Sequence, residues 1–186
     1  MSVHTNEFGQ PVGHALPHWT PRNPPSGVSL KGRFCQIEPI DPAKHAVDLF
    51  TAYSSAPRGW TYMMASPFTQ EADYRAYAET IAKSTDPRHY AVIDLQTGKA
   101  VGTLSLMRID VNNGVIEVGN VMFSPLLQQT PISTEAQCLL MAYAFDELEY
   151  RRYEWKCDAL NAPSRTTADR PGFTFQAVFR PDVVYK

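Results

Sequence analysis

Cysteine is scarce in this chain: Cys35, Cys138 and Cys157 are its three, far apart and without a CxxC pair. That argues against a disulfide framework and for buried, reduced thiols, as a cytoplasmic protein would keep them. An excess of charge is also missing, because 17 basic and 19 acidic residues leave a net charge of −2. Such a balance offers no polybasic face to nucleic acid or to an anionic membrane. No apolar run reaches the length of a membrane span, and no leader peptide is visible. Repeats and low-complexity segments are absent too. What remains is a chain of ordinary composition, 44% hydrophobic, long enough at 186 residues to bury the core of one domain.

Fifteen prolines are more than average, and several crowd the first quarter of the chain. Residues 1–27 have no periodicity and read as an irregular or disordered arm, with Leu16 and Trp19 as candidate anchors. Order is expected from Val28 onward. Residues 32–40 read as a strand, and 41–54 as a helix capped by Asp41 with Pro42 in its first turn. A loop over 61–68 leads to a second amphipathic helix over 69–83, with Thr69 as its candidate cap and Glu71 and Asp73 near its positive end. Strands follow over 89–95 and 100–110, and Asn112-Asn113-Gly114 signals a hairpin into a strand over 115–123. After an apolar helix over 134–148 come a strand over 153–160, a short helix from about Pro163 and a strand over 173–179. The order β-α-α-β-β-β-α-β-α-β predicts an α+β, or mixed α/β, domain around a largely antiparallel sheet.

Two places in this order have the residue types for ligand chemistry. The first is the loop Gln128–Ser133, where Thr134 and Gln137 have capping-box spacing. Free N–H groups at residues 132–136, aided by the helix dipole, would suit a phosphate; the alternative is an ordinary cap that binds nothing. The helix behind it is apolar on nearly every side, from Cys138 to Leu148, and is expected to pack on more than one face as core. The second place is DALNAPSR (158–165), where Asn161 ends a strand and Ser164 opens a helix. Those side chains either cap backbone locally or bind the amides of an extended ligand. Cys157, inside an apolar strand, reads as core.

The spacing Asn161, Ser164, Arg170, Gly172, Phe173 behind the strand YEWKC resembles the Nxx[AS]…GF segment of the GNAT acetyltransferases, and more narrowly their RimJ/RimL-like branch. The likeness extends over residues 28–186, with IEVGNVMFSP matching the splayed central strand and QQTPISTEA the pyrophosphate loop. It implies the GNAT-like acyl-CoA N-acyltransferase fold: a twisted, mostly antiparallel central sheet with helices on both faces. It also implies an enzyme that transfers acetyl from acetyl-CoA to a primary amine, with no metal. The acceptor would be a protein N-terminus or a small amine, attacking directly in a ternary complex.

The family's roles fall on particular residues of this chain. Backbone groups of Val121, Met122 and Phe123 would pair with the pantetheine arm, and an N–H near Val121 would polarise the thioester. The stretch Gln128, Gln129, Thr130, Pro131, Ile132, Ser133 and Thr134 would hold the pyrophosphate. Asn161 and Ser164 would flank pantetheine and thiol. Glu117 is the candidate base, acting through water; the alternative is a sheet-surface charge or a salt bridge to an arginine. Ser164 is the candidate acid for the departing thiolate, because Ala168 stands where part of the family has an acidic tyrosine. Arg58, Trp60, Tyr62 and Met63 lie where the acceptor site is shaped, or else anchor their loop to the core.

Three departures from the pattern stand out. Pro131 and Ser133 replace small residues of the loop, removing one N–H donor and leaving the Thr130 and Ser133 hydroxyls as substitutes. Pro171 must end or kink the short helix. The family has one more strand after FTFQAVFRPDVVYK, so an unpaired edge is expected, covered by the arm or by a second copy in a homodimer. These departures suggest as the alternative function an impaired or truncated GNAT-fold protein that binds CoA or a partner.

Overall fold

The computed structural model describes residues 4–179. After a small hairpin of β1 (His4–Thr5) and β2 (Pro11–Val12), the main sheet is built from β3 (Leu30–Lys31), β4 (Cys35–Pro39), β5 (Arg88–Asp94), β6 (Ala100–Asp110), β7 (Val115–Phe123) and β8 (Arg152–Trp155). These six lie in sequence order, antiparallel throughout except for β7 and β8, which run parallel. The helices are α1 (Pro42–Ser54), α2 (Glu71–Ala82), α3 (Pro131–Ala142, widening into a π-turn over Tyr143–Glu147) and α4 (Ala162–Asp169). No helix among the described residues is long and apolar enough to cross a membrane.

Strand alternation divides the core between the two faces of the sheet. On one face Ile37, Tyr90, Leu104, Leu106, Ile116 and Val118 pack with Leu140 of α3. On the other, Met122 and Ala100 join Leu49 and Tyr53 of α1, Trp60, and Tyr74 and Ala78 of α2. Helices therefore cover both faces, as the family resemblance implied. The β6–β7 hairpin turns at Gly114, whose φ of +59° is left-handed and whose missing side chain makes room for the Trp19 ring. Trp19 also donates to the Asn112 carbonyl at 2.7 Å, so it anchors the arm; Leu16, the other expected anchor, is exposed.

Several expectations need correction. α3 begins at Pro131, behind Thr130, and not at Thr134. It packs on one face only: Ala136, Gln137 and Leu140 are buried, whereas Cys138, Ala142 and Phe145 are exposed. α2 opens behind Gln70 and not Thr69. Cys35 alone is a buried thiol, because Cys157 falls beyond the end of β8 and is exposed like Cys138. Residues 173–179 pair with no strand among the described residues, although Phe173 stacks on Tyr153 and meets the edge of Trp155, both at 5.7 Å. The remainder of that expected C-terminal segment lies outside the described residues.

One contact joins α3 to the edge of the sheet. The Glu135 carboxylate accepts N–H bonds from Arg33, Phe34 and Cys35 at 2.7, 2.7 and 2.8 Å. Gly32 sits so close to that carboxylate that any side chain there would collide with it.

Candidate active site

The site is built where β7 and β8 part. Their parallel register runs from Val115↔Arg152 to Val118↔Trp155 and stops there. Residues 119–123 of β7 continue beside β6 alone, through a register shift between Thr103 and Ser105. Asn120 takes a left-handed φ of +49° in this bulge, a conformation asparagine tolerates. Its amide donates to Ser105 Oγ at 3.1 Å, and Ser105 Oγ donates to the Gly119 carbonyl at 2.9 Å. From below, Tyr53 on α1 donates its hydroxyl to the Met122 carbonyl at 3.0 Å and lies 3.1 Å from Thr103 Oγ1. Burial pushes that phenol far above its ordinary range, so it stays a donor. Of the three residues expected to line the cleft, Met122 is buried toward α1, while Val121 and Phe123 pack against the α3-side core.

The start of α3 lies just past this open edge. Pro131 occupies the first helical turn, Thr130 provides no side-chain cap, and that turn has no acidic residue. The expected capping box is absent, because Gln137 turns inward and neither amide atom has a hydrogen-bond partner among the described residues. Ser124, where the loop begins, has a buried hydroxyl likewise without a partner. The loop side chains serve the loop itself: Gln128 donates to the Phe123 carbonyl at 2.8 Å, Thr130 to Leu127 at 2.7 Å and Ser133 to Thr130 at 2.8 Å. Gln129 holds a left-handed φ of +60°. With the hydroxyl protons spent, what the loop offers an anion is the free N–H groups at the helix start and the dipole behind them.

On the opposite lip, Asn161 caps α4 by accepting from Ser164 N–H at 3.2 Å. Ser164 Oγ accepts from Trp155 Nε1 at 3.0 Å, so its own proton remains available. α4 ends at Asp169, ahead of Pro171, as expected.

Glu117 lies on the α1/α2 face of the sheet, in register with Met107, and is 3% exposed. Its Oε2 accepts from Arg108 Nη1 at 3.0 Å and from Lys156 Nζ at 2.7 Å. The arginine bridge weighed from sequence is thus present, joined by a lysine that sequence reasoning missed. Among the acceptor-side residues, Arg58 is exposed, whereas Trp60 is buried among Tyr53, Phe68 and Tyr77 and so anchors its loop. Met63 is partly buried against the same cluster, and the Tyr62 hydroxyl donates to the Leu160 carbonyl at 3.2 Å across the mouth of the cleft. Among the described residues no group of three or more His, Cys, Asp or Glu side chains is placed to hold a metal.

Comparison with known proteins agrees with this geometry. Residues 36–174 match the acetyltransferase (GNAT) domain family. A solved GCN5-related N-acetyltransferase from Brucella melitensis is 43% identical, covering 92% of this chain and 78% of that one, with a TM-score of 0.89. A probable GNAT-family acetyltransferase from Chromobacterium violaceum is 32% identical over 95% of this chain and 89% of its own, with a TM-score of 0.86. The N-acetyltransferase p20 of Bacillus licheniformis is 26% identical over 72% of this chain and 76% of its own.

Proposed function

The chain belongs to the GNAT acetyltransferase family, and we propose that it moves an acetyl group from acetyl-CoA to a primary amine within a ternary complex. The observation that carries this reading is the parting of β7 from β8 after Val118 and Trp155, beside a helix start that no side chain caps. The open edge at Val121, Met122 and Phe123 offers backbone groups to the pantetheine amides, as a strand edge does for any extended ligand. The loop Gln128–Thr134 takes the pyrophosphate on the free N–H groups of Ile132 and Ser133, with Gln129, Thr130, Pro131 and Thr134 shaping the approach. Gln128 acts indirectly, by fixing Phe123. Asn161 and Ser164 flank the thioester from the other lip.

The amine enters on the α1/α2 face, past Arg58, Tyr62 and Met63, over the floor that Trp60 anchors. Its nitrogen attacks the thioester carbonyl, whose oxygen is met by the N–H near Val121. The excess amine proton passes through water to Glu117. The C–S bond then breaks, and the leaving sulfur takes a proton relayed through the Ser164 hydroxyl, which is reprotonated from water as Glu117 returns its proton to solvent. Cys157, exposed beyond β8, has no part in this route. The finer assignment to the RimJ/RimL-like branch rests on the order of segments from IEVGNVMFSP to GFTF. With it goes the choice between a protein N-terminus and a small amine as acceptor.

Thiol release from acetyl-CoA, measured over a panel of amines, tests the reading. Glu117→Gln is expected to lower turnover about 100-fold while leaving acetyl-CoA affinity unchanged. An unchanged rate removes Glu117 from the route, and acetyl-CoA binding without turnover on any amine leaves a binding protein in place of an enzyme.

A further inference from the structure

Glu117 is buried, yet only one of its oxygens is in use. Oε2 takes both cations, whereas Oε1 accepts no hydrogen bond among the described residues and lies 3.7 Å from where a side chain on Gly119 would begin. Gly119 is the first β7 residue beyond the parallel ladder, and Oε1 lies on the same sheet face as the space above it, beside the Met107 thioether. Lys156 is the first residue beyond the ladder on the other strand. Its ammonium reaches back to Glu117 on β7 and to Glu154 on β8, forming an ionic rung where the backbone rungs stop. Arg108 closes the arrangement from β6, on a backbone held left-handed at φ +48° by N–H bonds from Arg108 and Ile109 to Asp86.

We propose that Lys156 is a positioning residue for acetyl transfer: by tying Oε2 of Glu117 across the parted strands, it aims Oε1 at the incoming amine. The inference rests on the acetyltransferase reading above and adds to it a residue outside the strand that bears the base. Lys156 acts as a cation only. Burial works against its charge, but the hydrogen bonds it donates to Glu117 and Glu154 outweigh that and hold its pKa above the ordinary lysine value, so it does not compete for the amine's proton. Arg108 alone holds Oε2 from one side, leaving the carboxylate to pivot about a single ionic bond; a base that pivots spends less time in line with its proton.

The test is a double-mutant cycle read by thiol release from acetyl-CoA, with glycinamide, spermidine and a hexapeptide bearing a free N-terminal serine as acceptors. Lys156→Met is expected to lower kcat about tenfold with KM for acetyl-CoA unchanged, and Lys156→Arg to restore most of the loss. In the Glu117→Gln background, Lys156→Met is expected to do nothing further, because its effect passes through the carboxylate. Losses that multiply in the double variant overturn the proposal alone, as does a Lys156→Met enzyme with unchanged kcat. A Lys156→Met loss that appears in KM for acetyl-CoA, or that follows a fall in thermal midpoint, also overturns it. No thiol release by the unaltered chain with any of the three amines overturns both this inference and the enzymatic reading.

Discussion

Among the described residues three α-helices open with a proline, and two of them, α1 and α3, resolve the same physics in opposite ways. α1 opens with Pro42 behind Asp41, whose carboxylate accepts the Ala43 N–H at 2.9 Å and faces the positive end of the helix dipole. α3 opens with Pro131 behind Thr130, with neither a side-chain cap nor an acidic residue in its first turn. The other two helix starts side with α1: α2 has Glu71 and Asp73 in its first turn, and α4 is capped by Asn161. Glu135 could have answered α3, but its carboxylate is drawn to the N–H groups of Arg33, Phe34 and Cys35. Among the α-helices of the described residues, the starts of α1, α2 and α4 are thus neutralised and the start beside the parted strands is left open. An uncapped start costs stability, a cost that the proposed pyrophosphate site would explain.

The strongest challenge to this comparison is at Glu135. Replacing it by alanine leaves three N–H groups without their acceptor and is expected to cost about 3 kcal/mol in urea unfolding. Burial by itself would raise the Glu135 pKa, but the N–H groups of Phe34, Arg33 and Cys35 together hold it below the ordinary carboxylate value. The sign follows from linkage: a lowered folded-state pKa adds stability above the ordinary carboxylate range and loses it as pH falls through the lowered value. Unfolding of Glu135→Gln is therefore expected to vary less with pH in acid than unfolding of the unaltered chain. A Glu135→Gln protein with the same acid limb would show that the strand nest does not hold an ionised carboxylate.

A matched pair of substitutions sharpens the contrast between the helix starts. Thr130→Asp makes α3 resemble α1, and is expected to stabilise the free protein by about 0.5 kcal/mol while weakening acetyl-CoA binding at least about tenfold. Asp41→Ala makes α1 resemble α3, and should cost about 1 kcal/mol in thermal or urea unfolding with no change in acetyl-CoA affinity. Equal effects of the two on binding would mean that the open start of α3 is incidental. The smallest expected change is at Pro131. Pro131→Ala returns one N–H donor to the helix start, and acetyl-CoA affinity, measured by calorimetry, should tighten about twofold. Weaker binding would mean that the proline's fixed φ shapes the loop more than its missing donor harms it.

Local chemistry was legible where it is decided by neighbours in the chain. Asp41 before Pro42 and Asn112-Asn113-Gly114 before a strand specify their own cap or turn and are found as expected, and Asn161, three residues ahead of Ser164, takes the capping role that was one of the two open to it. The start of α3 was misread because Thr134 and Gln137 have capping-box spacing, whereas the helix had begun at Pro131 and Gln137 was already on its buried face. FTFQAVF alternates like a strand, but a strand needs a partner edge. What holds FTFQAVF there is side-chain contact: Phe173 meets the rings of Tyr153 and Trp155, and the Gln176 Oε1 accepts from Arg152 Nη2 at 2.7 Å. The setting of Glu117 was least legible. Its partners lie 9 and 39 residues away, and neither the bulge that turns Arg108 nor the end of β8 that frees Lys156 is marked by composition. The parting of β7 and β8 was likewise accessible only through the order of whole segments.

The central claim is that the open start of α3, beside the free edge of β7, receives the pyrophosphate of an acyl-CoA. Titration calorimetry of acetyl-CoA into the unaltered chain and into Thr130→Asp tests it most directly. One site per chain, weakened at least about tenfold in Thr130→Asp while that variant's thermal midpoint holds or rises, is the predicted result. Equal affinity in the two proteins, or no heat from the unaltered chain at millimolar acetyl-CoA, would contradict it.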